Sequence, residues 1–79
     1  MTNQVEITGE ELARKQPLQV KIGRIEILAT SLAMAAKQYR DFIEADDLGA
    51  SQAPACMVRE VNAKQYFAKV SYNGRVWMA

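Results

Sequence analysis

The spacing of apolar and polar residues changes twice along this chain. Residues 18–29, LQVKIGRIEILA, place apolar side chains at alternate positions on both sides of Gly23-Arg24. Residues 30–48 repeat them every three or four positions, and residues 56–78 return to short runs rich in Val and aromatic side chains. Because period two is typical of strands and a period of about 3.6 of helices, the predicted order is a hairpin, a helix and then more strands.

The helix is predicted over about residues 30–48. Thr30 or Ser31 suits its N-cap, and Gly49 suits the left-handed residue that closes a helix. The stripe expected to face the core consists of Leu32, Ala36, Tyr39 and Ile43.

The C-terminal strands are predicted to form a three-stranded antiparallel meander from CMVREV, YFAKVSY and RVWM. Asn73-Gly74 lies between the last two runs, and this pair favours a two-residue type I′ turn. Such a turn places Tyr72 opposite Arg75 and Val70 opposite Trp77. Trp77 would then share a face with Val70, and whether that face covers the helix is left open.

Two segments allow a second interpretation. Residues 18–29 could continue the helix as a heptad stripe starting after Pro17, but strands are favoured because this segment is rich in Val and Ile and Gly23 would weaken a helix. Residues 1–17 fit either a short helix from a Thr8–Glu11 capping box through Lys15 or an edge strand at VEIT. Both hairpin and meander support a single α+β domain of two layers, spanning residues 1–79.

The composition limits the size of the core and the cellular compartment expected for this domain. A chain of 79 residues builds only a thin core, and its single cysteine, Cys56, rules out an internal disulfide. One thiol and no basic, apolar leader are typical of a cytoplasmic protein. The longest apolar run, residues 32–36, is too short to cross a membrane, so no membrane partner is expected.

Catalysis, metal binding and cofactor binding are all unexpected from this sequence. It contains no histidine, and its four glycines are isolated, so imidazole catalysis, common zinc sites and glycine-rich phosphate loops are absent. Cys56 is expected to pack inside a strand. Met34, Met57 and Met78 are expected to fill gaps in the core.

Charge is distributed unevenly, which suggests two candidate binding surfaces. Residues 55–79 contain four basic residues and one acidic residue, whereas residues 1–54 contain six and eight. The first candidate is the acidic end of the helix, where carboxylates are unfavourable near the negative end of the dipole; it consists of Asp41, Glu44, Asp46 and Asp47. Lys37 and Arg40 are expected to pair with Asp41 and Glu44 four residues on.

The second candidate is the basic, aromatic C-terminal hairpin. Cationic and aromatic side chains interleaved on a sheet can attract phosphates and stack on bases. Its members are Lys64, Tyr66, Lys69, Tyr72, Arg75 and Trp77. Only four positive charges lie in this third of the chain, so affinity for nucleic acid would be weak and dependent on salt.

The C-terminal half, KQYRDFIEADDLGASQAP followed by VSYNGRVW, resembles small, mostly uncharacterised accessory proteins carried by bacterial phages and plasmids. In size and layered α+β build the chain is also similar to anti-CRISPR proteins, which block host defence by occupying a binding surface of the effector. The resemblance implies a non-catalytic inhibitor of a host protein complex, with the acidic helix end meeting a basic groove. A small nucleic-acid-binding regulator is the alternative, and a homodimer is a third.

Overall fold

The computed structural model describes residues 4–46 and 53–79. They form an α+β domain with one main helix and a six-stranded antiparallel sheet. In chain order the elements are β1 (Glu6–Ile7), α1 (Glu10–Ala13), β2 (Leu18–Ile22), β3 (Ile25–Ala29), α2 (Leu32–Ala45), β4 (Cys56–Glu60), β5 (Ala68–Val70) and β6 (Val76–Met78). The strand order across the sheet is β1-β6-β5-β4-β2-β3.

The α+β class, the N-terminal hairpin and the C-terminal meander are confirmed. Residues 18–29 are two paired strands joined at Gly23, whose φ of 61° is the left-handed conformation that glycine adopts readily. The heptad alternative is therefore wrong. Between residues 1 and 17 both predicted elements occur, each shorter than expected. Gly9 rather than Thr8 is the N-cap of α1, and no side chain caps it.

Helix α2 begins as predicted and ends early. The Ser31 side chain accepts a hydrogen bond from the Met34 N–H at 3.1 Å and so caps the first turn. The helix ends at Ala45 with Asp46 as C-cap, three residues before the predicted end, and Gly49 lies outside the described residues. Its buried stripe consists of Leu32, Ala35, Tyr39 and Ile43, so Ala35 takes the place predicted for Ala36, which is half-buried.

One face of the sheet forms the core by packing against α2. The helix contacts β2, β3, β4 and β5, and α1 packs against α2 in the same layer. Alternate residues of each strand point to this covered face. The buried strand residues are Leu18, Val20, Ile22, Ala29, Cys56, Val58, Ala68, Val70 and Val76. Cys56 is 2% exposed, which confirms its predicted place in a strand.

The register of the last hairpin differs from the prediction. Val70 pairs with Val76 and Lys69 with Trp77. Three residues, not two, form the loop, because the Ser71 N–H donates to the Arg75 carbonyl at 2.8 Å. Gly74 has the positive φ expected of it, at 89°. A one-residue shift moves side chains to the opposite face, so Trp77 lies on the face opposite Val70, and the predicted pairing was wrong.

Candidate binding surface

The sheet face opposite α2 carries no helix among residues 4–46 and 53–79, and we call it the open face. The strand register aligns one residue from each strand in a row across it. Every member sits beside its neighbour on the adjacent strand, at the spacing of about 4.8 Å between strands. From β1 to β3 this open-face row reads Glu6, Trp77, Lys69, Met57, Lys21 and Glu26.

Both ends of the row are acidic, and each glutamate has an arginine partner. Glu6 Oε2 lies 3.9 Å from Nε of Arg75, and Glu26 Oε1 lies 3.6 Å from Nη2 of Arg59. Arg59 also donates to the Ala63 carbonyl, so this guanidinium holds the turn that follows β4. The two glutamates are thus largely compensated within the protein.

The centre of the row is basic and apolar. Lys69 and Lys21 flank Met57, and neither lysine forms a salt bridge with any carboxylate of the described residues. They are two strands apart, so their Cβ atoms are separated by about 10 Å. The uncompensated charge of the open-face row is therefore a pair of ammonium groups beside the thioether of Met57 and the indole of Trp77.

Trp77 is half-buried on this face, and its indole is fixed in orientation. The indole N–H donates to Ser71 Oγ at 3.2 Å. Ser71 Oγ in turn contacts the Arg75 carbonyl and Asn73 Oδ1, so the tight loop and the indole share one polar network. A preoriented aromatic ring loses little conformational entropy on binding, which suits it to anchor a partner.

The structure gathers only part of the predicted basic, aromatic set. Lys69 and Trp77 are cross-strand neighbours. Arg75 lies near Trp77, because its ion-pair partner Glu6 is the cross-strand neighbour of Trp77. Tyr72 is exposed in the last loop, where its carbonyl accepts from Arg40 of α2 at 3.1 Å, and Lys64 and Tyr66 lie in the connection between β4 and β5.

Lys21 and Met57 belong to the surface but were missed as site residues. Alternation within LQVKI does place Lys21 on the face of the sheet opposite to that of Val20 and Ile22. The missing information was that β2 lies beside β4, a contact between segments more than thirty residues apart. The prediction that Met34, Met57 and Met78 fill the core is wrong: Met57 lies on the open face, and the other two are 41% and 54% exposed.

The acidic helix end is largely paired with bases of the same helix. Asp41 Oδ2 lies 3.4 Å from Lys37 Nζ, and Glu44 Oε1 lies 3.3 Å from Arg40 Nη2, as predicted. Exposed pairs of this kind contribute only about 0.3–0.5 kcal/mol. Asp46 is the exposed C-cap, and Asp47 lies outside the described residues.

Two ionisable side chains, Cys56 of β4 and Tyr39 of α2, are buried in the core between the helix and the sheet. Burial raises the pKa of the Cys56 thiol to about 12, so the nucleophilic thiolate is scarce at neutral pH. Burial also raises the pKa of Tyr39, whose hydroxyl donates to the Pro54 carbonyl. Both groups are packed and protonated, a condition that fits structural residues rather than a nucleophile and its base.

The surface also has two small clefts near the end of β4, which share Pro17 and Val61. The larger has a volume of about 210 Å³ and is lined by Arg14, Gln16, Pro17, Glu60, Val61 and Asn62. The smaller, about 150 Å³, is apolar and reaches Leu28. Both are smaller than typical pockets for organic ligands, which measure about 300–1,000 Å³.

Among the described residues, no group of three or more Cys, Asp or Glu side chains could hold a metal ion. No helix there is long and apolar enough to cross a membrane. Comparison with protein-family models, with curated proteins and with solved structures found no match to this chain.

Proposed function

We propose that this protein is a non-catalytic binding protein that docks its open face on an acidic segment of a partner protein. The observation that supports this most is the pair of uncompensated lysines, Lys21 and Lys69, on either side of Met57 and next to Trp77. Carboxylates spaced along an extended partner segment would meet the two ammonium groups. Apolar side chains of the partner would cover Met57 and Trp77.

Residue types at the centre of the row support a protein partner. Trp and Met are enriched where protein interfaces are most buried, and a fixed indole is typical of residues that dominate binding energy. Glu6 and Glu26 at the two ends of the row are paired with Arg75 and Arg59, so the row offers uncompensated positive charge to a phosphate backbone only at its centre. A protein segment can match this pattern, because it can place carboxylates at the centre and neutral residues at the two ends.

The biological role that we propose is modulation of a host protein complex by a mobile-element protein. It rests on the resemblance to phage and plasmid accessory proteins and to anti-CRISPR proteins. The open face is preferred over the acidic helix end as the docking surface, because Asp41 and Glu44 already have basic partners whereas Lys21 and Lys69 have none among the described residues.

Binding of single-stranded nucleic acid is the second candidate, favoured by one observation. Lys69 and Trp77 are direct cross-strand neighbours on an uncovered sheet, which is how sheet platforms combine phosphate attraction with base stacking. Such binding would weaken steeply as salt rises. A single aromatic ring in the row gives this candidate less support than a protein partner.

The test is affinity capture from bacterial lysate with the wild type and three charge-reversed variants. Lys21→Glu/Lys69→Glu changes the open face, Asp41→Lys/Glu44→Lys changes the helix end, and Arg14→Glu/Lys15→Glu is a control for an equal change of charge at exposed positions between α1 and β2. Each capture is repeated after nuclease treatment. We expect one set of proteins, resistant to nuclease, that is retained by the last two variants and lost with the first.

Three results would contradict the proposal. Loss of capture with Asp41→Lys/Glu44→Lys alone would move the interface to the helix end. Loss with the Arg14 and Lys15 control would show a nonspecific charge effect. Capture of oligonucleotide that quenches Trp77 fluorescence and disappears at high salt would make nucleic-acid binding the better account.

A further inference from the structure

The two edges of the sheet differ in a way that goes beyond the open face. One edge is β1, which has only two residues and is followed by α1. The other is β3, five residues long, with the sequence IEILA. Proteins commonly protect edge strands with charged side chains, above all lysine, or with proline, bulges or short length. Strand β3 is five residues long without lysine or proline, and Glu26 is its one charged residue.

The ladder with β2 determines which backbone groups of β3 face outward. Gly23 N–H donates to the Ala55 carbonyl, and Val61 N–H to the Pro17 carbonyl, so the odd-numbered residues of β2 bond to β4. Its even-numbered residues therefore bond to Ile25, Ile27 and Ala29. The N–H and C=O groups of Glu26 and Leu28 point away from the sheet.

Part of this edge is closed by a side chain of α2. Nε2 of Gln38 donates to the outward Leu28 carbonyl at 3.0 Å. The closure is incomplete, because Gln38 contacts only the Leu28 carbonyl, and the outward N–H of Leu28 and backbone groups of Glu26 have no hydrogen-bond partner among the described residues. A carbonyl oxygen can accept two hydrogen bonds, so the edge retains the capacity to pair.

Apolar side chains are exposed on both sides of the same edge. Leu28 on the open face is 68% exposed, and Ile25 on the helix face is 48% exposed. Met34, 41% exposed, lies on α2 one turn before Gln38, above β3. A strand added here would gain backbone hydrogen bonds and would cover apolar surface on both faces.

We propose that the strand added at this edge is β3 of a second copy, which pairs antiparallel about Ile27. In that register Ile27 faces its symmetry mate, and Glu26 faces Leu28 of the other copy. The two carboxylates therefore avoid each other, and each outward backbone group meets a complementary one. A single strand pairing with itself in this way forms a closed two-fold dimer.

The proposed dimer does not depend on the proposed function, but it would bring two open faces together. The two-fold axis of an antiparallel strand pair stands perpendicular to the sheet, so the two open faces lie side by side on the same surface. Helix α2 packs over the middle strands, β2 and β4, as well as over β3. The two helices would therefore lie apart, with Met34 and Ile25 of each copy between them.

The first test is the molar mass of the wild type across a range of concentrations, measured by sedimentation. We expect the mass to double as concentration rises. Leu28→Glu should weaken self-association at least tenfold, because it places a second carboxylate opposite Glu26 of the other copy, and it should leave the circular dichroism spectrum unchanged, because Leu28 is exposed. Met78→Glu, at a residue 54% exposed on β6, is the matched control and should dimerise like the wild type.

A second test fixes the register. Residues facing each other at a non-hydrogen-bonded position have Cα atoms about 4.5 Å apart, which permits a disulfide. Cys56→Ala/Ile27→Cys should therefore form a covalent dimer on mild oxidation, and Cys56→Ala/Leu28→Cys should do so far more slowly. Fast crosslinking of the Leu28→Cys variant instead would overturn the register.

A monomeric wild type at every concentration would overturn the dimer. If that monomer captured a partner protein and Leu28→Glu abolished the capture, the edge would belong to a partner strand instead. Lys21→Glu/Lys69→Glu should leave the mass of the dimer unchanged. Failure of the open-face proposal and failure of the dimer are therefore distinguishable.

Discussion

The two faces of the sheet are built from alternate residues of the same strands and differ in burial and in chemistry. In β4, Cys56 and Val58 are buried beneath α2, whereas Met57 between them lies on the open face beside two lysines. In β6, likewise, Val76 is buried beneath the helix layer and Trp77 lies on the open face. The covered face contains nearly all the burial that stabilises the fold, which leaves the open face free to vary in chemistry.

Leucines on opposite faces test this division most strongly. Leu18 is fully buried, and Leu18→Ala should lower the free energy of unfolding by about 2–5 kcal/mol, since it leaves a cavity in a thin core. Leu28 is 68% exposed, and Leu28→Ala should change the free energy of unfolding by less than about 0.5 kcal/mol. Both are measured by urea unfolding at low protein concentration, where the monomer predominates.

A comparable loss from both substitutions would contradict the division, because it would mean that Leu28 is buried in solution. A small loss from Leu18→Ala would show that the core can collapse around the missing side chain. The ratio of the two losses therefore measures how unequal the faces are.

The local elements of this fold were predictable, because their signals lie within a few residues. Ser31 next to an apolar stripe marks the start of α2, and alternation about Gly23 marks the first hairpin. The last hairpin was harder. Tyr72-Asn73-Gly74 forms a three-residue loop in which the Tyr72 carbonyl is held by Arg40, a contact with a distant helix that Asn73-Gly74 alone does not predict.

The candidate binding surface is only partly predictable from the sequence, because it depends on which strands are neighbours. Lys69 and Trp77 come from consecutive strands and were identified as candidates. Lys21 joins them only because β2 and β4 pair. The one-residue change of register also decides which face Trp77 occupies. Sequence periodicity determines the alternation within a strand but not the neighbour of that strand.

The thiol of Cys56 offers a second way to compare the faces, through pH. Its pKa is about 12 in the folded protein and near 9 when unfolded, so the unfolded state loses the proton first. The contribution to stability is therefore complete below pH 9 and is lost progressively as the pH rises toward 12. The loss amounts to at most about 1.4 kcal/mol per pH unit.

The measurement is the free energy of unfolding of the wild type and of Cys56→Ala at a series of pH values from 8 upward. Tyr39 also has a raised pKa and acts in the same direction. Its burial raises the pKa in both proteins, and that part cancels in the difference, whereas the smaller part that comes from the charge of Cys56 is lost with the thiol and belongs to the measured effect. Cys56→Ala/Met57→Cys moves the thiol to the open face and should label quickly with a thiol reagent, whereas native Cys56 should label slowly. Equal labelling rates would contradict the burial of Cys56.

Two serines allow the comparison with the smallest expected effects. Substitution of one should mainly change stability, and substitution of the other should mainly change tryptophan emission. Ser31 caps α2, and Ser31→Ala should lower the free energy of unfolding by about 1 kcal/mol without moving the emission of Trp77, the only tryptophan. Ser71→Ala removes the acceptor of the indole N–H, so it should shift that emission at a smaller cost in stability. An unshifted emission would mean that the indole is not held by Ser71, and Trp77 would then lose the fixed orientation that makes it suitable as an anchor for a partner.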